Sequence, residues 1–239
     1  MNITNIFTSS VGKKFIMAAT GLLLFLFVVG HLAGNLQVFL GWDEINRYGD
    51  FLQSNLELIW PARIGLLVMV GLHIWSAIKL SAENRAARPQ PYAQHEIVAA
   101  SYASRTMLMS GLIILAFIIY HLMHFTLQEP GINGLGRSFV DLHDAKERHD
   151  VFAMMVLGFR NPLVAGFYVV GMFLLCLHLS HGLSAMFQSL GWKSPVYAPC
   201  LDRGAKIVSW LIFAGYVSIP ISITLGYGAN YLISRGLLK

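Results

Sequence analysis

Long apolar runs separated by short polar segments dominate the pattern of this chain. Five runs are long enough to cross a lipid bilayer, which takes roughly 20 residues of α-helix. The predicted spans are Phe15–Phe39, Leu58–Leu80, Met107–Leu127, Pro162–Phe187 and Ile207–Ile233. The pattern predicts an all-α, polytopic membrane protein, with five transmembrane helices in one bundle and a single domain over residues 1–239.

The composition agrees with lipid as the main solvent. Of 239 residues, 56% are hydrophobic and 12% are charged, and the mean hydropathy is +0.60. Soluble chains carry about a quarter charged residues. The two cysteines, Cys176 and Cys200, make a disulfide framework improbable, and there is no CxxCH run for covalent haem attachment.

The orientation of the spans depends on where Lys and Arg lie. A cytoplasmic N-terminus puts nine basic residues inside and eight outside, which is a weak contrast. Lys13, Lys14 and Lys79 lie at helix ends and favour this orientation. The outer segment that begins at Asp141 turns from charged to apolar, so we expect part of it to form a short helix lying flat at the membrane surface.

The histidines are the residues that most clearly indicate a function. Of the nine histidines, three fall in loops and are expected to be solvated: His95, His143 and His149. The other six lie inside predicted spans: His31, His73, His121, His124, His178 and His181. Strongly polar side chains are rare in membrane helices and tend to face a partner or a functional site. Four of the five spans contribute at least one histidine, which favours a shared function over separate packing roles.

The depths of four histidines sort into two levels, given a rise of about 1.5 Å per residue. His31 and His121 lie past the midpoints of outward-running spans, roughly 6–8 Å toward the outer face. His73 and His178 lie past the midpoints of inward-running spans, roughly 4–6 Å toward the inner face. Each level therefore receives one histidine from each of two helices.

Two opposed neutral imidazoles on different helices are suited to axial ligation of haem iron. The residues alone leave open whether His121 or His124, and whether His178 or His181, is the ligand. Three glycines lie near the histidines: Gly30, Gly71 and Gly182. They would let a flat macrocycle approach the backbone, although small residues in membrane helices also serve helix packing. Apart from the two HxxH pairs, no sustained internal repeat is apparent.

Three sequence blocks carry a resemblance to a known family. They are "SSVGKKFIMAATGLLLFLFVVGHLAGNLQVF", "IIYHLMHF" and the pattern "GFxNP…HLSHG…FQSLG". With these blocks the chain resembles, over essentially its whole length, one kind of complex II subunit. That subunit is the cytochrome b of succinate:quinone oxidoreductases (succinate dehydrogenases) and fumarate reductases that have a single five-helix anchor and two b haems.

The resemblance implies an electron-transfer subunit of an enzyme in a bacterial inner membrane. The implied partners are a flavoprotein subunit, which carries FAD and the dicarboxylate site, and an iron–sulfur subunit, both on the cytoplasmic side. The implied substrate of the anchor is a quinone, menaquinone. The implied axial ligands are His31, His73, His121 and His178. His124 and His181 would then bind a propionate, line a quinone pocket or pack.

The quinone site is less well defined by the sequence. Quinone chemistry moves protons with electrons, so the pocket needs an acid–base group near water. Glu57, near Trp60 at the start of the second span, is the candidate, with Asn35 and Gln37 following His31. The alternative is that Glu57 is only a solvated interfacial residue. Four inner basic residues are candidates for propionate binding or subunit docking, with snorkelling to the interface as the alternative: Lys13, Lys14, Arg105 and Lys193.

Two other functions compete with this one. Membrane anchors of hydrogenases and formate dehydrogenases also use bis-histidine haems, but the "HLSHG…FQSLG" block argues against them. A histidine-lined transporter is the more remote alternative. It should string polar groups along one lumen, whereas these histidines cluster at two levels.

Overall fold

The computed structural model describes residues 3–87, 107–133, 135–136 and 138–238. Over these residues the chain is helical and contains no β-strand, which confirms the all-α class. The α-helices are α1 Ile3–Thr8, α2 Ser10–Leu36, α3 Trp42–Ser54, α4 Leu56–Ala86, α5 Met107–His121, α6 Val151–Phe159, α7 Pro162–Ser189, α8 Ala198–Thr224 and α9 Ala229–Ser234. A 3₁₀-helix, Gln37–Leu40, extends α2, and a π-helix, Leu122–Thr126, extends α5.

Five helices in the described part of the chain are long and apolar enough to span a membrane. They are α2 with its 3₁₀ extension, α4, α5 with its π extension, α7 and α8, and their most apolar windows have mean hydropathies of 1.7 to 2.3. Many large apolar side chains on them are exposed, among them Leu67 and Leu163. Lipid-facing side chains explain this exposure, because apolar surface is at no disadvantage in hydrocarbon. The protein is a multi-pass membrane protein with five spans, as the sequence predicts.

The fifth span was wrong at both ends in the prediction. The helix runs from Ala198 to Thr224, not from Ile207 to Ile233. Charged residues in its first turns made the apolar pattern start late; one of them, Asp202, is paired with Lys193. Gly226 and Gly228 have φ angles of 108° and 80°, which favour glycine. They end the helix, so that α9 is a separate element.

The segment after Asp141 forms the predicted short helix, but the prediction that this helix lies at the membrane surface was wrong. A helix does form, α6, but its residues from Phe152 to Phe159 are buried and belong to the hydrophobic core. This fits a segment that is apolar on all sides. The carboxylate of Asp150 caps it by accepting from the Ala153 amide at 2.9 Å. Helix α3 was not predicted from the sequence; its larger apolar residues recur every three positions, and Ile45 is buried.

The chain forms two compact units. The first unit consists of Met1–Val28, Ala62–Leu112 and Cys176–Trp210, and the second consists of Val29–Pro61, Ile113–Leu175 and Leu211–Lys239. The first unit contains buried apolar residues such as Ile16, Leu80 and Leu183. The second unit contains the hydrophobic core around α6. The single domain over residues 1–239 stays a prediction.

A buried polar network ties α3, α6 and α9 together in the second unit. The Asn46 amide donates to Asp144 and to Asp150, both at 3.1 Å, and its oxygen accepts from the Phe152 amide at 2.9 Å. The Tyr231 hydroxyl donates to Asp150 at 2.7 Å. Buried polar groups are costly unless they are hydrogen-bonded, and here Asn46 is satisfied on both sides of its amide.

Ion pairs complete this network at the surface. Arg148 donates to Asp144 at 2.7 Å and to Asp43 at 2.6 Å. Burial opposes ionisation of Asp144, but its hydrogen bonds, first that from Arg148, lower the pKa of the carboxyl. The hydrogen bond from Lys146 is the main cause that lowers the pKa of Asp43. The loop after Phe139 is therefore held by charged groups in their ionised forms.

Candidate functional site

The first unit brings together two histidines from different helices. His73 on α4 and His178 on α7 have ring centres 6.4 Å apart, and their ring planes are inclined at 64°. They are the two residues assigned to the inner level in the sequence analysis. His181, one turn beyond His178, is half-buried, and no ring contact joins it to His73 among the described residues.

Each of these two imidazoles contacts a hydroxyl from a neighbouring helix. The Thr20 Oγ1 atom on α2 lies 3.2 Å from His73 Nδ1. The Ser110 Oγ atom on α5 lies 3.2 Å from His178 Nδ1. Four helices of the unit thus supply one polar side chain each, two imidazoles and two hydroxyls.

Glycine follows each hydroxyl residue and lies against the same imidazole. A Cβ atom at Gly21 would lie 3.2 Å from His73 Cε1, and one at Gly111 would lie 3.5 Å from His178 Cε1. The rings therefore pack directly on helix backbone. The glycines singled out in the sequence play no such part: a Cβ at Gly30 or Gly71 would meet nothing within 4 Å, and one at Gly182 would meet only Met107 at 3.9 Å.

The second unit holds the other predicted pair. His31 on α2 and His121 at the end of α5 have ring centres 5.8 Å apart and planes inclined at 82°. Aromatic side chains surround them. Phe117 is stacked on His121 with ring centres 6.1 Å apart, and the Tyr216 ring lies 6.3 Å from that of His31.

Tyr168 links His121 to His124. Its hydroxyl lies 3.3 Å from His121 Nδ1 and 3.0 Å from His124 Nδ1. His124 lies in the π-helix and is fully buried, and its Nε2 atom has no hydrogen-bond partner among the described residues. It packs against Gly158, where a Cβ would lie 3.0 Å from that Nε2 atom. π-Helical turns occur frequently at functional sites.

Asn35 contacts the other histidine of this pair from the next turn of α2. Its amide nitrogen lies 3.3 Å from His31 Nε2 and donates to the His31 carbonyl at 2.7 Å. An amide nitrogen is a donor only, so the imidazole Nε2 accepts. In this arrangement the Nε2 lone pair of His31 is engaged by the protein itself.

The donor chemistry fits haem better than a metal ion held by protein alone. Structural sites for Zn²⁺ have four protein ligands and catalytic sites have three, but no group of three or more His, Cys, Asp or Glu residues in the described ranges could hold a metal ion. Two opposed imidazoles with nitrogens about 2 Å from one metal have ring centres about 6 Å apart. The observed 6.4 and 5.8 Å match this spacing. A haem would supply the four equatorial nitrogens that each pair lacks.

Glu57, the predicted quinone-site residue, is exposed in the first turn of α4. No hydrogen bond or ion pair joins it to another described residue. A cavity of about 320 Å³ in the second unit is lined by Gln37, Glu44, Arg47, Tyr48 and Phe51. Glu57 is not part of that lining, so the structure gives the candidate no pocket of its own.

The loop histidines differ from one another. His143 is exposed, whereas His149 is half-buried beside Gln128, whose amide nitrogen lies 3.2 Å from His149 Nε2. Burial lowers the pKa of His149. The expectation that His149 is a solvated surface group was therefore wrong. His95 lies outside the described residues.

Two of the four inner basic candidates are engaged in ion pairs. Lys13 is buried and pairs with Glu83. Lys193 donates to Asp202 at 2.6 Å and to the Ser184 hydroxyl at 2.8 Å. Lys14 is exposed, and Arg105 lies outside the described residues. A role for Lys13 or Lys193 toward propionates would require these pairs to open.

Thr20, Ser110 and Tyr168 were not among the residues predicted from the sequence. A signal for the first two was present: α2 contains "TGLLLFLFVVGH" and α5 contains "SGLIILAFIIYH". Both fit a hydroxyl residue, Gly and Leu, followed after eight residues by a histidine. The 11-residue spacing is about three helical turns, so it keeps the hydroxyl and the histidine on one side of the helix. Tyr168 left no comparable signal.

Comparison with known proteins does not assign this site. No protein-family model, no curated protein and no solved structure matches the chain. The case for a function therefore depends on the histidine pairs and on the family resemblance of the sequence blocks.

Proposed function

We propose that this chain is the membrane-anchor and electron-transfer subunit of a succinate:quinone oxidoreductase or fumarate reductase and that it carries two b haems. One observation supports the haems above all others. Two pairs of imidazoles, drawn from four spanning helices, have the spacing of opposed ligands, and no third His, Cys, Asp or Glu among the described residues completes a metal site with either pair. The sequence blocks around these histidines support the family.

The roles of the chain's own residues follow from their contacts. His73 and His178 would be the axial ligands of one haem, and His31 and His121 those of the other. Haem b, when bound, supplies an iron centre that accepts and releases single electrons. The apolar side chains of the spans exclude water from both pairs. Thr20, Ser110 and Tyr168 hold imidazole Nδ1 atoms and so orient the rings.

The rest of the proposal comes from the resemblance. The partners are a flavoprotein subunit with FAD and an iron–sulfur subunit, on the cytoplasmic side of a bacterial inner membrane together with the N-terminus of this chain. Menaquinone is the proposed quinone. Glu57 remains the candidate proton-exchanging group of the quinone site, and its side chain is exposed in the first turn of α4.

A reduced-minus-oxidised visible spectrum of the purified protein tests the haems. We expect the bands of low-spin b-type haem and two haems per chain by haem extraction. A colourless preparation from an active membrane would contradict the proposal and would favour the histidine-lined transporter.

Co-purification tests the assignment to complex II. The chain, tagged and extracted from its native membrane in mild detergent, should bring down a subunit with covalently or tightly bound flavin and an iron–sulfur subunit, and the complex should reduce a menaquinone analogue with succinate or oxidise its quinol with fumarate. Co-purification of a hydrogenase or formate dehydrogenase catalytic subunit instead would agree with the proposed haems but contradict the assignment to complex II.

A further inference from the structure

The hydroxyl groups beside His73 and His178 each donate a hydrogen bond to a carbonyl of their own helix. Thr20 Oγ1 donates to the Ile16 carbonyl at 2.7 Å, and Ser110 Oγ donates to the Met107 carbonyl at 3.0 Å. Such bonds to the carbonyl three or four residues earlier are common for Ser and Thr in helices. A hydroxyl has one proton and two lone pairs, so each oxygen can only accept toward the imidazole.

The direction of these bonds fixes the state of both rings. Since the hydroxyl oxygens accept, Nδ1 of His73 and Nδ1 of His178 must carry a hydrogen and donate it. In a neutral imidazole the other nitrogen then has a bare lone pair. Both rings are thus held with Nε2 ready to bind a metal.

We propose that Thr20 and Ser110 are positioning residues that select the Nδ1–H tautomer of His73 and His178 and so tune the haem between them. The inference rests on the proposed function for the haem, but the tautomer itself does not. An acceptor on Nδ1–H strengthens the donor character of Nε2, and such outer partners typically contribute 10–100-fold to metal affinity.

The arrangement occurs twice in the same form. Each hydroxyl is followed by a glycine that contacts the same ring, at 3.2 Å for Gly21 and 3.5 Å for Gly111, measured from a Cβ built on the glycine. Each hydroxyl–glycine pair also stands at the same spacing before a histidine of the other pair. A hydroxyl group that served only to bond to a carbonyl of its own helix would need neither the glycine that follows it nor the contact with an imidazole.

The test uses the intact complex with Thr20→Val and Ser110→Ala, which remove the acceptors, and with Thr20→Ser and Ser110→Thr, which keep them. Ser209→Ala is the matched control. Ser209 is buried in the same unit and donates to the Ala205 carbonyl at 2.7 Å, with no imidazole contact among the described residues.

We expect Thr20→Val and Ser110→Ala to lower haem affinity at this pair by about 10-fold or more and to raise the midpoint potential of that haem, because a weaker nitrogen donor stabilises the oxidised iron less. The other haem should keep its potential. Thr20→Ser and Ser110→Thr should resemble the wild type. The inference is overturned if the acceptor-free variants behave like Ser209→Ala, or if both haems shift together.

A second measurement separates this inference from the proposed function. In the haem-depleted protein labelled with ¹⁵N-histidine, the ¹⁵N shifts of His73 and His178 report which ring nitrogen carries hydrogen; in the haem-loaded protein, ligation through Nε2 would itself place the hydrogen on Nδ1. We expect Nδ1–H at both residues, and a gain of Nε2–H at His73 in Thr20→Val and at His178 in Ser110→Ala. Nε2–H at both residues of the unsubstituted, haem-depleted protein would overturn the inference even if the loaded protein holds two haems. A colourless protein with Nδ1–H at both would reject the haem proposal and keep the tautomer selection.

Discussion

The two histidine pairs come from different helices, α4 and α7 for the first pair and α2 and α5 for the second, and they hold their rings in different ways. In the first unit each ring has its own acceptor, Thr20 for His73 and Ser110 for His178, and each acceptor is anchored to its helix backbone. In the second unit a single hydroxyl, that of Tyr168, lies between two imidazoles. The first pair is therefore fixed one ring at a time, and the second is coupled.

The coupling in the second unit follows from the single proton of the tyrosine. If His121 donates its Nδ1–H to Tyr168, then Tyr168 can donate to His124, whose remaining hydrogen lies on Nε2. If the order is reversed, His121 loses the tautomer with a bare Nε2. The buried Nε2 of His124 has no described partner that would favour either order. The tautomer of each imidazole therefore depends on the tautomer of the other, through the shared hydroxyl of Tyr168.

The lone pairs differ as well. The hydroxyl contacts of His73 and His178 are made to Nδ1, whereas Asn35 donates to His31 Nε2. A metal that bound to His31 Nε2 would have to displace this hydrogen bond from Asn35. The first pair is therefore pre-organised for the proposed ligation, and the second pair would have to rearrange to bind a haem.

The largest expected effect is selective loss of one haem. His73→Ala or His178→Ala should remove the haem of the first pair and leave the other, while His31→Ala or His121→Ala should do the reverse, because an axial nitrogen cannot be replaced by a methyl group. Haem content per chain and redox titration of the remaining haem measure this.

His181→Ala and His124→Ala are the controls for these four substitutions. Each removes an imidazole one turn from a ligand, and both haems should remain. If His124→Ala removes a haem and His121→Ala does not, the pairing of His31 with His121 is wrong.

The next effect should come from Tyr168→Phe. Removing the hydroxyl leaves the half-buried imidazole of His121 and the buried imidazole of His124 without this partner, and an unsatisfied buried polar group costs about 1–3 kcal/mol. We expect a lower free energy of unfolding and a shifted potential for the second haem only, measured by thermal unfolding in detergent and by redox titration.

Tyr227→Phe is a control for Tyr168→Phe. It removes a comparable hydrogen bond in the same unit, to the Val38 carbonyl at 2.8 Å, but touches no histidine. It should lower stability without moving either potential. Equal shifts of both haems in Tyr168→Phe would contradict the separation of the two pairs.

Much of the fold could be predicted because the hydropathy of a segment reflects whether lipid or water surrounds it. The five apolar runs identified the spans, and the depth of each histidine along its run gave the same pairs that the structure brings together. The ends of the fifth span failed because Asp202 lies inside a helix, where its ion pair with Lys193 offsets its charge. Such a pairing is invisible to a hydropathy pattern.

The contacts between helices could not be predicted in the same way. Thr20 and Ser110 are small polar residues of a kind common in membrane helices, and only the neighbouring histidines give them a role. Helix α6 is apolar on all sides, a pattern that favours burial, and the surface helix was predicted from the charged residues that precede it. The glycines adjacent to histidines in sequence contact no imidazole of another helix, and the approach of a macrocycle to them stays a prediction.

A smaller effect is expected from Asn35→Ala. Removing the amide frees His31 Nε2 from a competing hydrogen bond, and a typical net hydrogen bond contributes about 1 kcal/mol. Haem affinity at the second pair should therefore rise by about fivefold, measured by titration of haem into the depleted protein. Asn55→Ala, which removes a similar bond to the Phe51 carbonyl at 2.6 Å, should leave the affinity unchanged. A fall in affinity with Asn35→Ala would show that Asn35 assists ligation.

The smallest effect concerns pH and is expected in the second unit through His149. Its Nε2 lies against the Gln128 amide nitrogen, and a protonated ring could not accept from it. Burial lowers the pKa of His149 from 6.5, so just below pH 6.5 the unfolded chain binds more protons than the folded one. The contribution of His149 to stability is thus complete above 6.5 and declines as pH falls, by at most about 1.4 kcal/mol per pH unit.

Hydrogen exchange of the loop around His149, followed from about pH 7.5 to about pH 5.5, measures this contribution. His149→Gln keeps a neutral acceptor beside Gln128, so the loop should lose the part of its pH dependence that lies below 6.5. His143→Gln, at an exposed position, should keep it. The first unit provides the internal reference, because its described histidines lie in spans and none of them has a loop contact of this kind. If His149→Gln leaves the pH dependence of the loop intact, then another group of the second unit titrates there.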